Sequence, residues 1–163
     1  MATAQASLPD TPDIAEVKAQ LARGTRAEYF YVALLGLRNY KPFKIYIQLR
    51  KGLSYTAFER FQRNTRLSSA TIAGLIQLPP RTMARRKEAG RLQPDESDRL
   101  VRVARVFGRA LELFEGDPDA ARHWLSSKQR LLGNLIPLEL AGTDVGALEV
   151  EHLIGRLEHG IPA

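Results

Sequence analysis

The chain has 163 residues, enough for one domain or two small ones, and its hydrophobic content of 44% is ample for a core. It contains no cysteine, which excludes a disulfide framework, a thiolate nucleophile and a zinc–thiolate site. Neither a signal-peptide pattern nor a run of about 18 apolar residues occurs, so no membrane segment is predicted. These features predict a soluble cytoplasmic protein that has no membrane partner.

The net charge of +6 is unevenly distributed along the chain. Residues 38–109 carry 17 Lys and Arg against 5 Asp and Glu, whereas residues 110–163 carry 4 against 9. A polyanionic partner is therefore indicated for the middle third alone. The acidic C-terminal third requires a different explanation.

Residues 1–40 are predicted to form a leader followed by helices. Residues 1–12 contain Pro, Ser and Thr with few large apolar side chains, which favours disorder. A short amphipathic helix is expected from Pro12 to Arg23, and Gly24 would end it. The nearly continuous apolar run from Tyr29 to Leu37 indicates a segment that is buried either within the monomer or against a second copy.

The next segment has an ambiguous pattern, because apolar side chains alternate with polar or aromatic ones at Phe43, Ile45, Ile47 and Leu49. Alternation taken alone favours a β-strand. No partner strand is predicted elsewhere, however, and Gly52 stands where a helix C-cap would. A helix is the preferred interpretation, and the predicted fold class is all-α.

Residues 41–116 are predicted to form a DNA-binding domain with a helix-turn-helix motif. Ser68 or Ser69 can cap one short helix, a tight turn follows it, and Pro80 suits the first turn of a basic helix that ends at Gly90. Two short helices in this arrangement, the second one basic, are typical of a helix-turn-helix. The predicted DNA-binding residues are Ser69, Thr71, Arg81, Thr82, Arg85, Arg86 and Lys87.

Arg81 and Arg85 share one helix face, so both can reach the same groove of DNA, while Met83 and Ala84 are expected to pack inward. A guanidinium that is bidentate to guanine discriminates between bases by about 1–3 kcal/mol. The alternatives are neutralisation of phosphates without reading of sequence, or a solvated helical hairpin with ordinary surface charge. Because operator half-sites require two recognition helices about one turn of DNA apart, a homodimer is expected.

The longest helix is predicted between Pro94 and Gly116. Its apolar stripe faces the core, and its other face holds a row of arginines, namely Arg99, Arg102, Arg105 and Arg109. Solvation and pairing with the acidic residues at the start of the same helix are favoured over phosphate contact. Those acidic residues are Asp95, Glu96 and Asp98.

Residues 117–163 are predicted to form a small helical domain that begins with a cap at Asp117. Its last helix would start at Thr143 or Asp144 and bury a stripe made of Val150, Leu153, Ile154 and Leu157. No catalytic motif occurs, and the three histidines lack the spacing of metal ligands. No enzyme, cofactor or metal site is therefore predicted. The histidines are His123, His152 and His159.

Two blocks of residues, which together span about residues 44–163, resemble the antitoxins of the RES–Xre type of bacterial toxin–antitoxin system, the ParS/MbcA/Xre family. The first block is Arg81-Thr82-Met83-Ala84-Arg85-Arg86-Lys87, then Leu92 and Glu96-Ser97-Asp98-Arg99-Leu100. The second contains Trp124-Leu125, Gly133-Asn134, Pro137-Leu138, Gly146, Val150, Leu153 and Gly155-Arg156-Leu157-Glu158-His159-Gly160. The chain departs from the family between Lys128 and Leu135, where the family usually has a Pro and a Gly-Gly pair.

The resemblance implies two roles. The C-terminal domain would bind a cognate RES-domain toxin, an enzyme that acts on NAD, and would block the entrance of its active site. The helix-turn-helix would bind operator DNA and repress the shared operon. A pocket that binds a dinucleotide pyrophosphate should be basic, and an acidic domain is steered towards it. The predicted toxin-binding residues are Trp124, Glu151, Arg156, Glu158, His159, Gly160 and Ile161.

Other functions remain open from the residues alone. Arg156 and His159 could simply stabilise the C-terminal end of their helix, where positive charge interacts favourably with the helix dipole. The protein could be a stand-alone helix-turn-helix transcription regulator, or a protein-binding module that has lost DNA binding. Steep weakening of DNA binding with salt would exclude the last alternative.

Overall fold

The computed structural model describes residues 10–161, and no β-strand occurs among them. The predicted all-α fold is therefore confirmed; most of the predicted leader lies outside the described residues. The α-helices of this part of the chain are α1 (Pro12–Ala22), α2 (Phe30–Leu34), α3 (Pro42–Lys51), α4 (Tyr55–Thr65), α5 (Ser69–Leu75), α6 (Pro80–Ala89), α7 (Pro94–Leu113), α8 (Pro118–Leu125), α9 (Pro137–Leu140) and α10 (Asp144–Glu158). Single 3-10 turns occupy Ala27–Tyr29 and Arg130–Leu132.

The helix ends follow the capping signals in the sequence. Ser68 Oγ accepts a hydrogen bond from the backbone N–H of Thr71 at 3.0 Å, and Thr143 caps α10 through the N–H of Gly146 at 3.0 Å. Asp117 caps α8, as predicted. The ambiguous segment is helical, because α3 begins at Pro42 and Gly52 ends it with φ +83°.

Helix α7 is the central element of the core. Its inward stripe is fully buried and includes Leu100, Val103, Phe107 and Leu111. The ring of Phe107 meets Phe61 of α4 edge to face, with ring centroids 6.1 Å apart. Burial of one such side chain contributes about 1.5–3 kcal/mol, so the stripe on α7 is a major source of stability.

The apolar run from Tyr29 to Leu37 is buried within the chain rather than kept for a partner. Phe30, Leu34 and Leu35 are almost inaccessible to solvent. Gly108 of α7 allows α2 to approach closely, since a Cβ at this glycine would lie 3.2 Å from the Cβ of Phe30. Of the two interpretations of the run, burial in the monomer is the one that the structure supports.

A polar group fixes α1 inside this core. Asp13 accepts hydrogen bonds from Arg60 and from Asn64 Nδ2, the latter at 2.8 Å. Burial raises the pKa of Asp13, but the hydrogen bonds from Arg60 and Asn64 outweigh it and hold the pKa below its usual value. The carboxylate is therefore charged at neutral pH.

The prediction that Leu157 belongs to the core was wrong. Leu157 was assigned to the buried stripe of α10, but its side chain is 42% exposed, whereas Val150, Leu153 and Ile154 are buried. Leu157 lies in the last turn of α10, where the described residues leave its side chain partly uncovered. No helix among the described residues is both long and apolar enough to cross a membrane.

Candidate binding surfaces

The predicted helix-turn-helix is formed by α5, a tight turn and α6. The turn is closed by a hydrogen bond from Leu78 N to Ala73 O at 2.8 Å, and Gln77 adopts a left-handed conformation with φ +57°. Ile76 and Leu78 are buried beneath it. The turn thus fixes the direction in which α6 leaves α5.

Helix α6 presents most of its surface to solvent, and none of its residues is fully buried. Arg81 and Arg85 are exposed on one face, where Arg85 Nη2 also donates to Thr82 Oγ1 at 3.4 Å. Met83 packs against the core, as predicted, but Ala84 is exposed, because it lies near Arg81 on the outward face. Lys87 is also exposed, on nearly the opposite side of the helix from Arg85.

Arg86 has a different position from the other cations of α6. Its Nε donates to both carboxylate oxygens of Glu96, at 3.0 and 2.9 Å, and Glu96 is buried. The same carboxylate accepts the backbone N–H of Gln93 at 2.8 Å at the start of α7. Of the predicted DNA-binding residues, Arg86 is therefore the one that connects α6 to α7.

The other two predicted DNA-binding residues lie at the start of α5. Thr71 is exposed, and its hydroxyl accepts a hydrogen bond from Ser68 Oγ at 2.7 Å. Ser69 is half-buried at the edge of an apolar concavity of about 550 Å³ between α5 and α6. Sequence reasoning did not find this concavity, because its walls come from small residues of α5 and from the turn. They include Ala70, Gly74, Pro79 and Pro80.

The arginine row on α7 is paired with carboxylates. Arg99 and Arg102 meet Asp95 and Asp98 within the helix, at 3.3 and 3.6 Å, as the favoured interpretation expected. Glu96 was expected in the same role, but it pairs with Arg86. The remaining two arginines were not predicted to pair where they do, because their partners lie on α10.

Those partners are Glu151 and Glu158, which the sequence assigned to toxin contact. Arg105 Nε donates to Glu151 at 2.7 Å, and Arg109 Nη2 donates to Glu158 at 3.1 Å. The paired carboxylates hold α10 against α7. Arg109 also binds Glu112 at 2.6 Å, so one guanidinium serves two carboxylates.

Glu112 and Glu158 form a close acidic pair beside that guanidinium. Burial raises the pKa of Glu112, and the hydrogen bond and negative charge of Glu158 raise it further, against the opposing effect of Arg109. Glu112 therefore loses its proton at a higher pH than a solvated glutamate does.

A surface groove of about 570 Å³ runs along the outer side of α10. Gly155 leaves it open, since a Cβ there would meet only Arg109 Nη2, at 3.9 Å. Leu148 and Ile161 expose apolar surface at its walls, and Arg156 Nε is buried with no hydrogen-bond partner among the described residues. The lining residues are Arg109, Leu148, Glu151, His152, Gly155, Arg156, His159 and Ile161.

Four of the predicted toxin-binding residues therefore line one groove: Glu151, Arg156, His159 and Ile161. The others do not line it. Trp124 lies on α8 and packs against Phe114, with ring centroids 6.4 Å apart. Glu158 is held by Arg109, and Gly160 forms the exposed turn after α10 with φ +61°. Leu148 and His152 were missed, although they fall opposite the buried stripe of α10.

The described residues contain no cluster of three or more His, Cys, Asp or Glu side chains that could hold a metal ion. What the surface offers instead is exposed cations on α6 and an open, partly apolar groove on α10.

Comparison with known proteins finds a matching domain family for each of two segments of the chain. Residues 46–105 match the antitoxin Xre-like helix-turn-helix domain, and residues 109–160 match the antitoxin Xre/MbcA/ParS C-terminal toxin-binding domain. Relatives named antitoxin Xre occur in Yersinia enterocolitica and Photorhabdus laumondii, 38% and 37% identical over 114 residues, which is 69% of this chain and 77% of each relative. One from Pseudomonas putida is 33% identical over 84 residues, 51% of this chain and 52% of the relative.

The fold and its two surfaces define an all-helical protein in which a helix-turn-helix domain is followed by a small helical domain. The chain belongs to the Xre antitoxin family, as the resemblance of its motifs indicated. The two matched segments end and begin within α7, at residues 105 and 109. The division at residue 117 stays a prediction.

Proposed function

We propose that this protein neutralises a cognate RES-domain toxin by covering the entrance of its active site with the groove and tail of α10. We propose in addition that its helix-turn-helix represses their shared operon. The observation that carries the first proposal is the groove between Leu148 and Ile161, because it joins apolar walls to Arg156, whose buried Nε has no hydrogen-bond partner among residues 10–161.

The groove has the composition of a protein-binding site. Its apolar walls gain free energy when they are covered, and a buried N–H that lacks a partner favours any ligand that supplies an acceptor. Arg156 Nε is such a donor. A backbone carbonyl or a carboxylate of the toxin would therefore bind well beside apolar side chains that cover Leu148 and Ile161.

The distribution of charge supports the same proposal. Glu151 and Glu158 are engaged within the chain, so in this proposal they position α10 and contribute less to direct contact. Exposed carboxylates remain elsewhere in the acidic third, at Glu115, Asp117 and Glu139 among others. They would steer the domain towards a basic nucleotide pocket.

Gly155 allows a direct test of neutralisation. The open reading frame next to this gene would be expressed alone, with the wild-type protein, with Gly155→Trp and with Gly155→Ala. We expect growth arrest by the neighbour and rescue by the wild type and by Gly155→Ala, whose methyl group fits the space. Gly155→Trp fills the groove and should not rescue growth.

Melting temperature and DNA binding of purified Gly155→Trp provide the control, since both should match the wild type. A harmless neighbour, or full rescue by Gly155→Trp, would contradict the proposal. The protein would then be better explained as a stand-alone transcription regulator.

For the operator, the exposed pair Arg81 and Arg85 supports binding in the major groove by α6. A homodimer would place two copies of α6 on two half-sites. Binding to the DNA upstream of the gene, measured with and without toxin, tests repression, and sedimentation of the complex tests the dimer.

A further inference from the structure

A second basic surface lies on α3, outside the helix-turn-helix. Between Glu28 and Glu59 the sequence has no acidic residue, and this stretch carries five cations. In the described part of the chain none of the five takes part in an ion pair. They are Arg38, Lys41, Lys44, Arg50 and Lys51.

The outer face of α3 also exposes aromatic surface. Only Ile45 of this helix is buried, whereas Phe43 is 77% exposed and Tyr46 is 56% exposed. The two rings are neighbours, with centroids 6.4 Å apart. Large exposed apolar side chains that lie among unpaired cations indicate a surface that is covered by a partner.

The C-terminal end of α3 is joined to the C-terminal end of α6. Leu92 N donates to Leu53 O and Tyr55 N donates to Gly90 O, each at 2.9 Å. Arg91 Nη1 donates to Gly52 O at 2.7 Å. A Cβ at Gly52 would collide with the carbonyl oxygen of Leu92, so this close approach requires glycine.

Charge decides between the possible partners of this surface. A second copy that docked face to face would bring five unpaired cations against the same five, and like charges oppose such contact. Duplex DNA has the complementary charge, and it would already lie beside α6 if the proposed operator binding is correct. The adjoining ends of α3 and α6 give the surface its continuity.

We propose that α3 binds the phosphate backbone of the operator beside the segment that α6 reads. This inference rests on the proposed DNA binding. Lys44, Arg50 and Lys51 neutralise phosphates, Tyr46 donates its hydroxyl to a phosphate oxygen, and Phe43 packs against the sugars. The contacts fix the position of the protein on DNA and carry no base specificity.

The test compares the full-length protein with the variant Lys44→Gln/Arg50→Gln/Lys51→Gln. The probes are a duplex from upstream of the gene and a random duplex of equal length, each titrated with salt. Loss of three phosphate contacts should lower the slope of log K against log salt by about 2–3 and weaken binding to both duplexes at least about tenfold. The matched control is Lys128→Gln/Arg130→Gln, which removes two exposed cations from the C-terminal half and should change neither value.

The possible failures are distinguishable. If the wild type binds neither duplex, the proposed operator binding fails. If the wild type binds but the triple variant keeps its affinity and slope, the role of α3 alone is overturned. Conversion of a dimer to a monomer by Phe43→Ser/Tyr46→Ser, with an unchanged salt slope in the triple variant, would assign the face to self-association and would also overturn the inference.

Discussion

Helices α6 and α7 are both rich in arginine, yet their arginines are arranged for different purposes. Arg81 and Arg85 of α6 are exposed and have no carboxylate partner within residues 10–161. On α7, all four outward arginines are paired, three of them with carboxylates of α10. The number of arginines on a helix is therefore a poor guide to nucleic-acid binding, and the carboxylates that surround them decide.

The largest effect should come from the unpaired arginines. Arg81→Ala/Arg85→Ala is expected to weaken binding to the upstream duplex about 100-fold, because a guanidinium on guanine contributes about 1–3 kcal/mol. Its melting temperature should stay at the wild-type value, since both side chains are exposed. Fluorescence anisotropy and circular dichroism measure the two quantities. Unchanged affinity would show that α6 does not read the DNA.

The opposite result is expected for α7. Arg109→Ala leaves Glu112 and Glu158 without their shared cation and should lower the free energy of unfolding by about 2 kcal/mol. This value is below the range for fully buried pairs, because Arg109 keeps some contact with water. Urea unfolding measures it, with Arg130→Ala as the control. Equal stability of the two variants would contradict a structural role for the row.

Arg86 sharpens the comparison, because it belongs to α6 but is paired like the arginines of α7. Arg86→Ala should destabilise the protein by about 1–2 kcal/mol through the loss of its bond to the buried Glu96. Arg85→Ala, one position away, should change stability by less than about 0.5 kcal/mol. Thermal melts of the two variants test this prediction, and equal melting temperatures would contradict a structural role for the Arg86–Glu96 pair.

The smallest effect concerns pH. The pKa of Glu112 is raised on folding, so its contribution to stability is fully present below its ordinary pKa and is lost as pH rises through the folded value. Relative to the wild type, Glu112→Gln should therefore become more stable as pH rises from 4 to 7. Asp13→Asn should show the opposite trend in a lower range of pH. The contribution of Asp13 to stability is present above its ordinary pKa and is lost as pH falls through the lowered folded value. Melting temperatures at several pH values test both trends.

Local signals in the sequence predicted much of the fold. Ser68, Asp117, Thr143 and Gly90 marked helix ends that the structure confirms. Alternation at 43–49 was misleading, because it reflects one side of α3 that is left exposed rather than a pleated strand. Capping and periodicity are properties of neighbouring residues, which is why they can be read directly from the sequence.

The pairings between distant residues could not be predicted in the same way. Arg105 and Glu151 are 46 residues apart, and only the packing of α10 on α7 brings them together. Leu157 has the spacing of a core residue, but its exposure depends on which elements stop short of it. The groove at Gly155 also depends on residues that are distant in the sequence. Gly155 has no side chain to fill the groove, and Arg109 of α7 lies behind this position.

The continuity of α7 has a mechanical consequence. Its 20 residues form one rigid rod about 30 Å long, which packs against α5 near one end and against α10 along the other. In the proposed complex no flexible linker separates DNA from toxin, so a toxin held on α10 would stay at a fixed distance and angle from the double helix. The spacing of neighbouring operator sites would then decide whether two loaded copies fit side by side or exclude each other.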